Sequence, residues 1–72
     1  MDQIKTGNII RTMRLRQNMT QRGLSEKIGV SDKAVSKWER GCGAPDISLQ
    51  PKLAEVLQVD AVSLLKGEMD EN

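Results

Sequence analysis

The chain has 72 residues, a single cysteine, no histidine and a net charge of +1. A length of this order holds one small domain, which buries only ~60% of the surface its unfolded form exposes. The composition excludes an intramolecular disulfide framework and histidine acid–base chemistry, removes the commonest metal ligand, and offers no apolar run near the ~18 residues of a membrane span.

Apolar residues recur at helical spacing rather than at a period of two. Ile10 and Met13, Leu24 and Ile28, Val35 and Trp38, and Leu53 and Leu57 are all i,i+3 or i,i+4 pairs. The spacing predicts helices over 5–17, 21–28, 32–39, 49–57 and 61–66. Asn18 can adopt the left-handed conformation that ends the first. Thr20 is placed to N-cap the second, and Gly23 stands where a capping-box Glu would help. Gly29 supplies a turn tolerant of positive φ, and Ser31 caps the third helix. Asp32 in its first turn suits the positive end of the helix dipole, and Gly41 ends it. Ser48 is the expected cap of the fourth helix, with Pro51 in its first turn, where a missing N–H costs little. Asp60 and Gly67 bound the fifth. The domain is expected to run over 1–67, with a polar tail at 68–72.

Charge is unevenly placed. Residues 1–41 carry nine Lys/Arg and four acids, whereas residues 42–72 carry two bases and six acids. One half could therefore face a polyanion while the other is repelled by it. The outer face of the third helix holds Asp32, Lys33, Ser36 and Lys37, with Arg40 at its end. That face is short, polar and cationic, and suits base edges and phosphates in a major groove ~12 Å wide.

The stretch Thr20-Gln21-Arg22-Gly23-Leu24-Ser25-Glu26-Lys27-Ile28-Gly29-Val30-Ser31, followed by Ala34-Val35-Ser36-Lys37-Trp38-Glu39-Arg40-Gly41, resembles the phage repressor and Cro (Xre-type) helix-turn-helix family. The pattern continues upstream through Gly7, Ile10, Met13 and Arg14, and downstream through Pro45, Leu49, Leu53, Ala54, Leu57, Val59 and Leu64-Leu65. The resemblance implies an all-α, compact five-helix, lambda-repressor-like domain. It also implies sequence-specific binding of double-stranded DNA, usually as a homodimer on a palindromic operator, and a role in transcription regulation, more often repression.

Several roles follow from the resemblance and from side-chain chemistry together. Asp32, Lys33, Ser36 and Lys37 are the candidates for reading bases. Arg14, Thr20, Gln21 and Arg40 are the candidates for phosphate contact, and Arg11 and Arg16 could join them or simply be solvated. Arg14 and Glu39 are expected to form a partly buried ion pair tying helix 1 to the end of helix 3. Trp38 reads as core, Cys42 as a loop residue, and Val62 and Leu65 as apolar surface that a two-fold partner would cover. Gly23, Ser25 in place of the usual Ala, Ile9 in place of a polar residue, and the uncharged loop Cys42-Gly43-Ala44 depart from the family pattern. No catalytic constellation, cofactor site or metal site is expected. The protein is expected to be cytoplasmic, and not an enzyme. The alternatives are a protein-interaction module on the same scaffold, such as an antitoxin or coactivator domain, and an accessory domain of an enzyme.

Overall fold

The computed structural model describes residues 3–60. Within them the chain forms helix α1 (Gln3–Arg16), α2 (Gln21–Ile28), α3 (Asp32–Glu39), a 3-10 turn (Ile47–Leu49) and α4 (Gln50–Leu57). The expected all-α architecture is present, with four α-helices among the described residues. The fifth helix expected over 61–66, its bounding Gly67 and the tail at 68–72 lie outside the described residues.

Local chemistry explains most boundaries. Asn18 takes the left-handed conformation, at φ 57°, and the Met19 N–H closes back onto the Arg14 carbonyl at 3.1 Å. The Thr20 hydroxyl accepts the Gly23 N–H at 2.9 Å, capping α2. Gly29 ends α2 at φ 79° and donates to the Ser25 carbonyl at 2.8 Å. Ser31 caps α3 by accepting from the Ala34 N–H at 3.2 Å. At the far end Gly41, at φ 73°, reverses the chain.

One expected cap is wrong. Ser48 does not cap α4, because helical geometry begins a turn earlier, in the 3-10 segment that contains it. Its hydroxyl donates instead to the Asp46 carboxylate at 2.7 Å. The residue at the α4 N-cap is Leu49, which makes no side-chain cap. The 3-10 turn runs directly into α4, since the Gln50 N–H bonds the Ile47 carbonyl. Pro51 does fall in the first turn of α4, as expected.

The core sits where α3 meets α1 and α2, with α4 closing one side against α2 and α1. Ile10, Leu24, Val35, Leu53 and Leu57 are fully buried, joined by Ile9, Ile28, Trp38 and Ala54. Each such large side chain contributes ~1.5–3 kcal/mol relative to exposure. Ile9 therefore belongs to the core stripe rather than to an exposed contact surface. Ser25 is buried, and its hydroxyl donates to the Arg22 carbonyl at 2.7 Å, which satisfies the polar group inside the helix crossing.

Gly7 permits the closest helix approach. A Cβ there would overlap the Trp38 carbonyl oxygen and lie 3.2 Å from the Glu39 Cα. The backbone of α1 thus rests directly on the last turn of α3.

Candidate nucleic-acid interface

A helix that presents its outer face to a partner is useful only if its pose is fixed from within. Val35 and Trp38, three apart, point inward and are buried. The opposite side follows from the same periodicity. Asp32, Lys33 and Lys37 are exposed, and Ser36 is half-buried. The four expected base-reading side chains thus share the outer side of one two-turn helix.

The end of α3 is tied down by charge. Arg14 Nε and Nη2 donate to the two Glu39 carboxylate oxygens at 2.7 and 3.0 Å. The side chains are only 9% and 4% exposed. Arg14 Nη1 also donates to the Met19 carbonyl at 2.7 Å, so the same guanidinium fixes the α1–α2 connection. Three of its donors are used, which offsets the cost of taking the charge out of water. The Arg14 guanidinium thus faces Glu39 and the α1–α2 connection.

Gln21 joins this network. Its Nε2 donates to Glu39 Oε1 at 3.2 Å, linking the first turn of α2 to the last turn of α3. One carboxylate therefore holds groups from α1 and α2 against α3. Gln21 remains half-buried at the start of α2 beside the Thr20 cap, where backbone N–H groups and the helix dipole favour an anion. The Gln21–Glu39 link escapes sequence reasoning because the two residues stand 18 positions apart. Only the pairing of Arg14 with Glu39 would have pointed to it.

Arg40 is exposed, and its Nε donates to the Ser36 carbonyl at 3.3 Å. This folds the guanidinium along the end of α3 instead of leaving it swinging in solvent. Lys37 leans toward the loop after α3. Its Cγ, Cδ and Cε each lie 3.7 Å from where a Cβ on Gly43 would stand. Arg11 is exposed, and Arg16 is exposed with Nη1 3.8 Å from Met13 Sδ. Cys42 is an exposed free thiol in the loop. Among the described residues no group of Cys, Asp and Glu is arranged to hold a metal, and no helix is long and apolar enough to cross a membrane.

Two inward-anchored helices at a glycine turn, with a polar cationic face on the second, form a helix-turn-helix. A family profile described as Helix-turn-helix, HTH_3, matches residues 10–64. The chain belongs to this family. It is 34% identical over 65 residues to repressor protein C2 of Salmonella phage P22, covering 90% of this chain and 30% of that protein. It is 36% identical over 59 residues to the HTH-type transcriptional activator BcrR of Enterococcus faecalis, covering 82% of this chain and 29% of that protein. The chain therefore spans about three tenths of the length of each of these two relatives. Its fold is similar to that of the P22 c2 repressor protein in a complex with the synthetic operator 9T. The TM-score is 0.82 at 35% identity, over 88% of this chain and 96% of that one. These similarities place the lambda-repressor-like HTH domain of a transcription-regulator family on this sequence.

Proposed function

We propose that this domain binds double-stranded operator DNA by laying α3 in the major groove, and that it serves a transcriptional regulator. The carrying observation is the pose of α3. Its inner face is locked by Val35 and Trp38, its end by the Arg14–Glu39–Gln21 network, and its outer face carries Asp32, Lys33, Ser36 and Lys37. Family membership and the operator-bound P22 repressor support the same reading.

Roles follow from position. Lys33 can donate to guanine O6 or N7, and Ser36 can pair with several bases. Asp32 at the start of α3 can accept from cytosine N4–H, and it penalises bases that present only acceptors. The reach of Lys37 depends on where its stem lies. Thr20, Gln21 and the first N–H groups of α2 form the phosphate contact on one side, and Arg40 forms it on the other. Arg14 acts through Glu39, by holding the helix that reads. A protein-docking face would be apolar or acidic, whereas Lys33, Lys37 and Arg40 make this one cationic.

The working unit is a homodimer on a two-fold operator, with the two α3 helices ~34 Å apart. Repression by occupying a promoter is the simplest output of such a module.

The test is selection of bound sequences from random duplex DNA, followed by a salt titration. The expected result is one enriched, palindromic motif, with log affinity falling linearly with log salt. Binding without enrichment and without salt dependence would overturn the reading.

A further inference from the structure

We infer that Lys37, whose stem runs beside the loop at Gly43, serves as a phosphate clamp there and not as a reader of base edges. The inference rests on the DNA-binding reading above and assigns one residue within it a different task.

Helical side chains by default tilt back toward the N-terminus of their helix. Lys37 instead has three successive methylenes against a residue beyond the end of α3. The chain makes this possible in two steps. Gly41 reverses direction at φ 73°, and the Cys42 N–H then bonds the Lys37 carbonyl at 3.0 Å. Gly43 is thereby brought alongside the Lys37 stem. The stem passes 3.7 Å from where a Gly43 Cβ would stand, so it runs along the loop with room for no more than a small side chain between them.

The charge pattern gives that pose a use. Residues 42–49 contain one charged side chain, Asp46, and no cation. A loop that flanks the reading helix therefore has no positive charge of its own. Lys37 lends it one from α3. Base reading then falls to Asp32, Lys33 and Ser36, toward the first half of the helix.

Gly43 is also a clean place to test this. Its backbone lies outside the left-handed region, and the three atoms nearest an added Cβ all belong to the Lys37 stem, at ordinary contact distance. A Gly43→Leu chain should fold while leaving no room for the stem to run along the loop.

The experiment compares enriched motifs and salt slopes for wild type, Lys37→Ala, Gly43→Leu and the Gly43→Leu/Lys37→Ala double variant. A Lys33→Ala chain serves as the base-reading control. For Lys37→Ala the expected result is an unchanged motif, affinity lower across all sequences, and a salt slope reduced by about 1. For Gly43→Leu it is a new preference at one base pair, which the double variant loses. Loss of a base-edge contact would instead cost ~5- to 150-fold at a single base pair. If Lys37→Ala relaxes one position of the wild-type motif, or Gly43→Leu leaves the motif unchanged, the assignment is wrong. Neither outcome touches the broader reading, which fails if wild type binds without enriching a motif and without salt dependence.

Discussion

Glu39 ties three helices together through one carboxylate. Its carboxylate receives Arg14 through two hydrogen bonds and Gln21 through one, nearly out of water. Removing one partner of such a pair leaves a buried charge uncompensated, which costs ~3–5 kcal/mol. Glu39→Ala should therefore lower unfolding stability by about that amount in urea titrations. The paired replacement Arg14→Met with Glu39→Leu should cost less than Glu39→Ala alone. Equal losses for the single and double variants would mean that packing, not charge, carries the contact. Gln50 is the opposite case. Its side chain is buried, with the residue only 5% exposed, and neither amide atom has a hydrogen-bond partner among the described residues. A buried polar group without a partner costs ~1–3 kcal/mol. Gln50→Leu is close in volume, so it should raise the urea midpoint by a comparable free energy without changing the slope of the transition.

At the scale of the helices, two glycines on different elements should respond with opposite sign. In α1, Gly7→Ala would drive a methyl group into the Trp38 carbonyl oxygen, and both sides of that contact are backbone. Neither can move aside cheaply, so a loss of ~1–3 kcal/mol or more is expected. In α2, Gly23→Ala recovers up to ~1 kcal/mol of helix propensity. The new Cβ would stand 3.2 Å from the Thr20 hydroxyl oxygen, so part of that gain is spent on a small shift of the cap. The expected net effect is a modest rise in melting temperature for Gly23→Ala and a large fall for Gly7→Ala. A stable Gly7→Ala chain would show that α1 can back away from α3.

The same elements show what the sequence made legible. Thr20, Gly29, Ser31 and Gly41 act on N–H and C=O groups within five residues, so local chemistry was enough to place them. Ser48 falls inside the helical run because a 3-10 turn, closed by the Leu49 N–H on the Asp46 carbonyl at 2.9 Å, starts that run early, which periodicity does not show. The Arg14–Glu39 pair was reachable only through resemblance to a family, since 25 residues separate the two. Burial of Gln50 arises from packing between elements, and no local pattern encodes it.

For the whole molecule, the decisive quantity is how much DNA one copy can read. Helix α3 has eight residues, hence a length of ~12 Å, which matches roughly four base pairs of groove. A four-base-pair site recurs every few hundred base pairs by chance, so one copy cannot single out an operator. Two copies related by a two-fold axis would read about twice as many positions, provided their α3 helices enter successive major grooves on one side of the duplex. The charge layout suits such an arrangement, because residues 1–41, which contain α3, carry nine Lys/Arg against four acids and so favour a polyanion. On an operator with half-sites ~10 base pairs apart, the second copy should bind more tightly than the first. Inserting 5 base pairs between half-sites turns the second groove to the opposite side of the helix, and the cooperative gain should vanish. Inserting 10 should place both half-sites on one side again, but too far apart for two small domains to touch. Gel-shift titrations on the three spacings measure this directly. Equal second-site affinity at all spacings would mean that the copies bind independently, and that specificity must come from residues or partners beyond this domain.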